Sequence, residues 1–309
     1  MIKSLQIAYI KAALLFIAYI WSVNAQAQQR SLYSQYMFNG LVLNPAYAGS
    51  QKQLSATGLY RKQWVNLEGA PSTFNATVHS GFEKKKIGVG LMVNREEIGI
   101  HKDLGVYGSY AYHIVMEKGI LAMGLQAGFN NLQSDFNLLT LKHGNDPILN
   151  GKISKFNPNF GTGIYYSTST SYVGFSIPYL INNKVIQDKD VISYAREARY
   201  YFLTGGKVFD VNESVKVKPS VLLRWQEGAP LGFDANFNVI LQDVITLGTS
   251  YRSSESFILL FQVKANENFS FGYAYDWVIS DLNPYTRGSH EIMVNYRIKL
   301  TSTPCHSYF

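Results

Sequence analysis

Apolar and polar side chains alternate one for one along this chain, in segments of about 10–13 residues, from about residue 52 to residue 300. Leu231, Phe233, Ala235, Phe237, Val239 and Leu241 are separated by Gly232, Asp234, Asn236 and Asn238. Phe269, Phe271, Tyr273, Tyr275 and Trp277 alternate with Ser270, Gly272, Ala274 and Asp276. Ile292, Val294, Tyr296 and Ile298 alternate with Glu291, Met293, Asn295 and Arg297. A period of two is that of a β-strand with two unlike faces. About fourteen segments carry it: 52–66, 71–83, 86–96, 103–115, 119–132, 156–168, 171–180, 197–209, 214–226, 230–242, 244–254, 256–266, 268–279 and 289–300. Strands of soluble domains usually run about 5–6 residues. A tilted membrane-spanning strand needs about 9–11. The spacing therefore predicts an all-β protein, a single transmembrane antiparallel β-barrel over residues 52–300.

Composition agrees. Charged residues make up 16% of the chain, where soluble domains average about 25%. The chain also carries 22 Tyr and 18 Phe. In lipid every backbone N–H and C=O needs an internal partner, so a sheet must close on itself. Its outer face is then free to be Leu, Val, Phe and Ile. Tyr and Trp gather at the interfaces, and Tyr107, Tyr110, Tyr112, Tyr165, Tyr166, Tyr172, Tyr200, Tyr201 and Tyr251 are expected there or along the walls. A soluble sandwich or secreted adhesin fits neither the strand lengths nor the missing charge. Connections alternate between short ones, such as 83–85, 116–118 and 210–213, and longer ones near 133–155, 181–196 and 280–288. Outer-membrane barrels have tight periplasmic turns and longer external loops. An even strand count then places both termini on the periplasmic side.

The first residues have a different character. Lys3 and Lys11 precede the apolar run Ala12 to Val23, and Ala25-Gln26-Ala27 fits a small-x-small cleavage site. Residues 1–27 read as a secretory signal peptide, with an apolar run short for a bilayer span. Its removal lowers the net charge from +7 to about +5. Residues 28–51 form an apolar N-terminal segment and residues 301–309 a C-terminal tail. The segment 31–50, SLYSQYMFNGLVLNPAYAGS, is aromatic and apolar yet carries turn residues. It must be buried, either as a plug in the barrel or as a docking element against a partner. Inward glycines, among them Gly88, Gly90, Gly124, Gly163, Gly174, Gly205 and Gly272, admit two readings. They give room for a plug close to the wall, or they relieve strain in a bent sheet.

Signals for chemistry are weak. The histidines share no ligand spacing, and the lone Cys305 excludes a disulfide framework or a cysteine-based cluster, so no metal site or cofactor is expected. There is no Gly-x-Ser-x-Gly elbow and no phosphate loop, and no enzyme activity is expected. Lys84, Lys85 and Lys86 read as a solvated turn and not as a nucleic-acid patch.

Ser34-Gln35-Tyr36-Met37-Phe38-Asn39, then Asn44-Pro45-Ala46-Tyr47-Ala48-Gly49-Ser50, resembles the N-terminal signature of the PorP/SprF family. The likeness continues through Tyr60-Arg61-Lys62-Gln63-Trp64, Gly69-Ala70-Pro71-Ser72-Thr73 and Phe156-Asn157-Pro158-Asn159-Phe160-Gly161. The resemblance implies an outer-membrane barrel of Bacteroidota that belongs to, or works with, type IX secretion and gliding machinery. It implies two kinds of partner: a secreted cargo's C-terminal domain, and a periplasmic peptidoglycan-binding lipoprotein of the machine. Carried over by position, Gln35, Tyr36, Asn39, Asn44, Pro45, Tyr47, Gly49, Arg61, Gln63, Trp64, Pro71 and Thr73 are expected to position the segment or to contact a partner. Arg61 and Gln63 fall on the polar face of the first strand and Trp64 on the other. An inward Arg61 is expected to hold the Asn-Pro segment through its carbonyls. A passive channel or uptake barrel for small solutes is the competing function. It would show lumen-facing charge in most strands, whereas inward charge here gathers late, in Lys216, Lys218, Arg224, Asp234, Asp276, Glu291, Arg297 and Lys299.

Overall fold

A computed structural model describes residues 32–51, 53–138, 151–183, 199–227 and 229–298. The segment read as a signal peptide, residues 28–31, and the tail 301–309 with Cys305 lie outside the described residues. The strands are β1 (Leu54–Lys62), β2 (Ser72–Phe82), β3 (Ile87–Ile98), β4 (His101–Met116), β5 (Gly119–Asp135), β6 (Lys152–Ser167) and β7 (Ser171–Ile177). They continue as β8 (Tyr200–Lys207), β9 (Phe209–Asn212), β10 (Val215–Gln226), β11 (Gly232–Leu241), β12 (Ile245–Arg252), β13 (Ser256–Lys264), β14 (Phe269–Val278) and β15 (Ser289–Ile298). Pairing is antiparallel throughout, and β1 pairs with β15 to close the barrel. β8 and β9 lie end to end along β10, so the fifteen strands make fourteen staves.

The β8–β9 interruption falls at buried Val208, whose N–H bonds Thr170 O at 2.7 Å. The register against β10 is unbroken across Val208 and slips farther on, between Val215 and Lys216, opposite Val211. The stretch expected as a turn, 210–213, is thus mostly strand. The turn is residues 213–214, closed by Ser214 N–H on Asn212 Oδ1 at 2.9 Å. β1 ends at Lys62, short of the expected residue 66, because Trp64 and Asn66 take positive φ (45° and 76°), which no strand accommodates. β4, β5 and β6 run to 16, 17 and 16 residues, longer than the expected segments.

The faces are those of a barrel in lipid. Leu125, Phe156, Leu259 and Trp277 are more than half exposed, while Asp234, Asn238 and Glu291 are fully buried. The apolar half of each alternating strand points out and the polar half points in. The connections 63–71, 99–100, 136–151, 178–199, 227–231, 253–255 and 279–288 share one mouth, and 83–86, 117–118, 168–170, 213–214, 242–244 and 265–268 share the other. We call them the long-loop mouth and the short-turn mouth.

Residues 32–50 run through the lumen. At the start of this stretch, Leu32 and Tyr33 lie beside Ala229, Pro230, Ser253 and Ser254 at the long-loop mouth. At its end, Gly49 lies against Gly81 and Gly88, which flank the turn 83–86 at the short-turn mouth. Between them, three 3-10 turns at Tyr36–Phe38, Gly40–Val42 and Pro45–Tyr47 fold the chain compactly. Leu54 and Ile298 share the short-turn mouth, as an even number of staves requires. Leu32 lies at the opposite mouth, so the described chain begins and ends on different sides.

Tyr107, Tyr165 and Tyr200 are buried inside the barrel, not at an interface. Tyr107 stacks edge-on to Tyr179, and Tyr165 edge-on to Tyr47 of the lumenal segment. Their inward parity overrides the interfacial preference of tyrosine, since a filled lumen needs bulk. Tyr110 and Tyr112 face outward, as expected.

Candidate functional site

The candidate site is the lumenal segment together with the wall that grips it. At the long-loop side the grip is ionic. Arg61 on β1 reaches Asp276 Oδ2 on β14 at 2.6 Å, Glu291 Oε2 on β15 at 3.4 Å and Ser34 Oγ of the segment at 2.6 Å. Ser34 Oγ donates to Asp276 Oδ1 at 2.8 Å. Glu291 accepts the main-chain N–H groups of Ser34 and Gln35, each at 2.8 Å. Arg252 on β12 bonds Asp234 Oδ2 on β11 at 3.0 Å and donates to Tyr33 O at 3.2 Å. All five ionised side chains are buried. Ionised groups withdrawn from water must find nearly every partner they need, and here the segment supplies several of them.

Arg61 therefore does meet the segment, but through the Ser34 hydroxyl and through carboxylates that bind segment N–H groups. The expected carbonyl bond comes from Arg252. The Tyr36 phenol is buried in the lumen. It accepts a bond from Asn236 Nδ2 at 2.7 Å.

Toward the short-turn side the grip is steric and uses main-chain atoms. Asn44 caps the turn Pro45–Tyr47, accepting from Ala46 N–H at 2.9 Å, and Pro45 starts that turn without a donor to lose. The Asn44 amide donates to Ile164 O at 3.0 Å on β6. Ser176 Oγ on β7 donates to Leu43 O at 2.7 Å. Gly49 N–H bonds His79 Nδ1 at 3.2 Å, and His113 Nε2 lies 3.0 Å from Ala48 O. A side chain at Gly88 would overlap Ala48 O, one at Gly124 would overlap Ala46, and one at Gly163 would overlap Asn44. Gly49 itself has φ +74°, and a Cβ there would fall 2.7 Å from Gly88 Cα and 2.8 Å from Gly81 Cα. Of the two readings of inward glycine, close approach of a plug holds at these positions. Gly205, expected to face inward, has the outward parity of exposed Leu203 and pairs with exposed Val221, so its Cβ would point away from the lumen and nothing from the segment demands glycine there.

The structure gathers most of the predicted residues. Gln35, Tyr36, Asn39, Asn44, Pro45, Tyr47 and Gly49 are in the lumenal segment. Arg61 and Thr73 face each other across the β1–β2 ladder and are both buried. Thr77 donates to Asn39 Oδ1 at 3.2 Å. Gln63, Trp64 and Pro71 belong instead to the 63–71 connection: Gln63 N–H bonds Pro71 O at 2.9 Å and Trp64 N–H bonds Ser289 Oγ at 3.1 Å. With β1 ending at Lys62, neither Gln63 nor Trp64 has a strand face. Ser34, His79 and Arg252 were not among the predicted site residues. Arg252 shares its parity with Ser250 and Gly248, so the alternation of β12 carried its inward direction.

A closed antiparallel barrel, apolar outside and filled inside by its own N-terminal segment, is a plugged transmembrane β-barrel. The chain belongs to the PorP/SprF family of type IX secretion system membrane proteins, whose pattern matches residues 25–296. No curated protein sequence matches it. Among solved structures it is similar to the outer membrane protein Omp33 of Acinetobacter baumannii, at 10% identity and TM-score 0.48, over 81% of this chain and 100% of that one. It is also similar to the CymD monoaromatic hydrocarbon channel, at 10% identity and TM-score 0.47, over 87% of this chain and 92% of that one.

Proposed function

We propose that this protein is a non-enzymatic docking barrel of the outer membrane. In this reading it holds the C-terminal domain of a secreted protein, or a component of the secretion and gliding machine such as a peptidoglycan-binding lipoprotein, for secretion or attachment at the surface. The observation that supports it is the filled lumen. Residues 32–50 touch the wall from one mouth to the other, so the barrel's free surfaces are its two mouths. A passive channel or uptake barrel needs a path that solute can cross. Short turns face the periplasm in such barrels. Ile298 is then periplasmic, and Leu32 is at the external mouth.

The test is deletion of the gene followed by analysis of cell surface and medium. The reading expects at least one large secreted protein to leave the surface, or to stop being exported, and to return on complementation. It also expects that protein, or a periplasmic lipoprotein, to co-purify with the barrel from native membranes. Unchanged surface and secreted proteins, with no co-purifying partner, would overturn it.

A further inference from the structure

β6 is paired along its whole length on one side only. β5 lies against it from Lys152 to Ser167, whereas β7 pairs with it only from Thr162 to Ser167. Residues 178–183 follow the middle of the open side. Leu180 N–H bonds Phe160 O at 2.8 Å, and Asn183 Nδ2 donates to Pro158 O at 3.3 Å. The main-chain groups of successive residues point to opposite edges of a strand, so Phe156 and Ser154 turn theirs the same way as Phe160. Among the described residues nothing bonds them there. Pro158 agrees with this, since a residue without an N–H is accommodated on an open edge.

The edge stands clear of the lipid. β5 and β6 have 17 and 16 residues. At the tilt usual in such barrels they rise about 40 Å, against an apolar band about 25 Å tall. The surplus is at the long-loop mouth. There Phe156 stacks on Phe129 at 4.6 Å, and beyond it the outer face turns polar. Ser154 Oγ donates to Asn131 Oδ1 at 2.9 Å, and Lys152 Nζ lies 3.1 Å from Asp135 Oδ2. Lys152, Ser154 and Phe156 are exposed. Unpaired main-chain groups are not tolerated in hydrocarbon, and these lie above it.

A row of main-chain donors and acceptors along an exposed edge is matched by the main chain of another extended strand. A second copy in the same membrane does not offer its own β6. That strand runs from the long-loop mouth to the short-turn mouth in every copy, so two of them run in the same sense. Rotation about the membrane normal then makes their tilts cross instead of pair.

We propose that the β6 edge at residues 152–156 takes up an extended segment of the secreted partner as an added strand. Ser154 and Phe156 donate their N–H groups to it and accept its N–H groups at their carbonyls. This rests on the docking reading above, which puts the long-loop mouth outside the cell, and it names the element that docks.

The experiment uses the full-length barrel in detergent and calorimetric titration with N-acetyl-Thr-Val-Thr-Val-Thr-amide. A second probe has the same side chains with every main-chain nitrogen methylated. The first should bind saturably and slow hydrogen exchange at the Ser154 and Phe156 amides, and the second should bind about tenfold or more weaker. Ser154→Pro and Phe156→Pro each remove one edge donor and no bond of the β5–β6 ladder. Each should weaken the first probe by about tenfold, while Ser154→Ala should not. Retained heat-dependent migration on gels shows that a variant barrel is folded. If a proline variant does not fold, the two probes and the exchange of the unaltered protein decide alone. Equal binding of both probes, binding that leaves exchange at Ser154 and Phe156 unchanged, or folded proline variants that bind undiminished would overturn the proposal. So would no saturable binding at millimolar peptide, which would mean that the edge is simply hydrated.

Co-purification separates this inference from the reading beneath it. A partner retained equally by the unaltered barrel and by the Ser154→Pro/Phe156→Pro double variant would overturn the role of the edge and leave docking standing. A partner absent from both would overturn docking, while the titrations still decide whether the edge takes a strand.

Discussion

At the scale of single residues, the lumenal segment is held by two different kinds of contact, and substitutions separate them. Arg61 bridges Asp276, Glu291 and Ser34 in a buried setting. Breaking one partner out of a buried ion pair costs about 3–5 kcal/mol. Arg252 Nη1 still lies 4.0 Å from Asp276 Oδ2, which lessens the loss. Arg61→Ala should free residues 32–39 to added protease without opening the barrel, whose β1 ladders are main-chain bonds. Mass spectrometry of the fragments, with gel migration as the fold check, reads both. Undiminished protection of residues 32–39 would show that the ionic contacts do not hold the segment. Arg61→Lys should not restore protection, because a single ammonium does not reproduce the guanidinium fork across three partners. Gly88→Ala puts a methyl group into Ala48 O, and overpacking of this kind costs about 1–3 kcal/mol. It should expose residues 44–50 to protease, while Gly205→Ala should leave them protected. Equal behaviour of the two would refute the close-approach role of Gly88. Arg61 was legible from its polar parity and its place in a family motif. The Arg61–Arg252 cluster was not, since Asp276 and Glu291 meet Ser34, and Asp234 holds the Arg252 that meets Tyr33, from three different strands that only the folded barrel brings around the segment.

At the scale of strands, side-chain alternation alone carried the architecture. Its polar members are buried and its apolar members exposed on β5, β11, β14 and β15, while β13 turns the apolar Ile258 and Leu260 inward. The ends of strands were less legible, because they are set by backbone conformation. Trp64 at positive φ ends β1 in a stretch whose pattern continues. The break at Val208 splits one stave without altering its register against β10. Neighbouring residues on β5 test the two faces. Leu125 is 65% exposed toward lipid, whereas Gln126 is buried and its amide reaches Pro178 O at 3.3 Å. Leu125→Arg should lower the unfolding free energy in lipid vesicles by about 2–4 kcal/mol if it lies near the bilayer midplane. In detergent micelles the penalty should shrink, since a micelle yields around a charge more easily than a bilayer. Urea titration in the two settings measures this. An equal loss in both would mean that Leu125 faces protein and not lipid.

At the scale of the whole molecule, the decisive fact is that a barrel of fourteen staves carries its own stopper, continuous in sequence with its first strand. The stopper is bound by main-chain fit at the short-turn side and by buried ions at the other, so its two halves differ in what can displace them. High salt screens exposed charges strongly and buried pairs weakly, and the Arg61 cluster is buried. Ionic strength alone should therefore not open the lumen. In planar bilayers the unaltered protein should show no steady large conductance, even in 1 M salt. A variant lacking residues 32–47 should show steady openings, because the vacated lumen is lined by polar residues such as Thr57, Asn75, Asn236 and Asn295. Arg61→Ala should lie between them, with brief openings, since only the ionic half is released. Steady openings from the unaltered protein would contradict a lumen closed by its own chain and would favour the channel function. A closed deletion variant would mean that the wall side chains collapse inward without the segment. In that case residues 32–47 support the barrel's shape and do not block it.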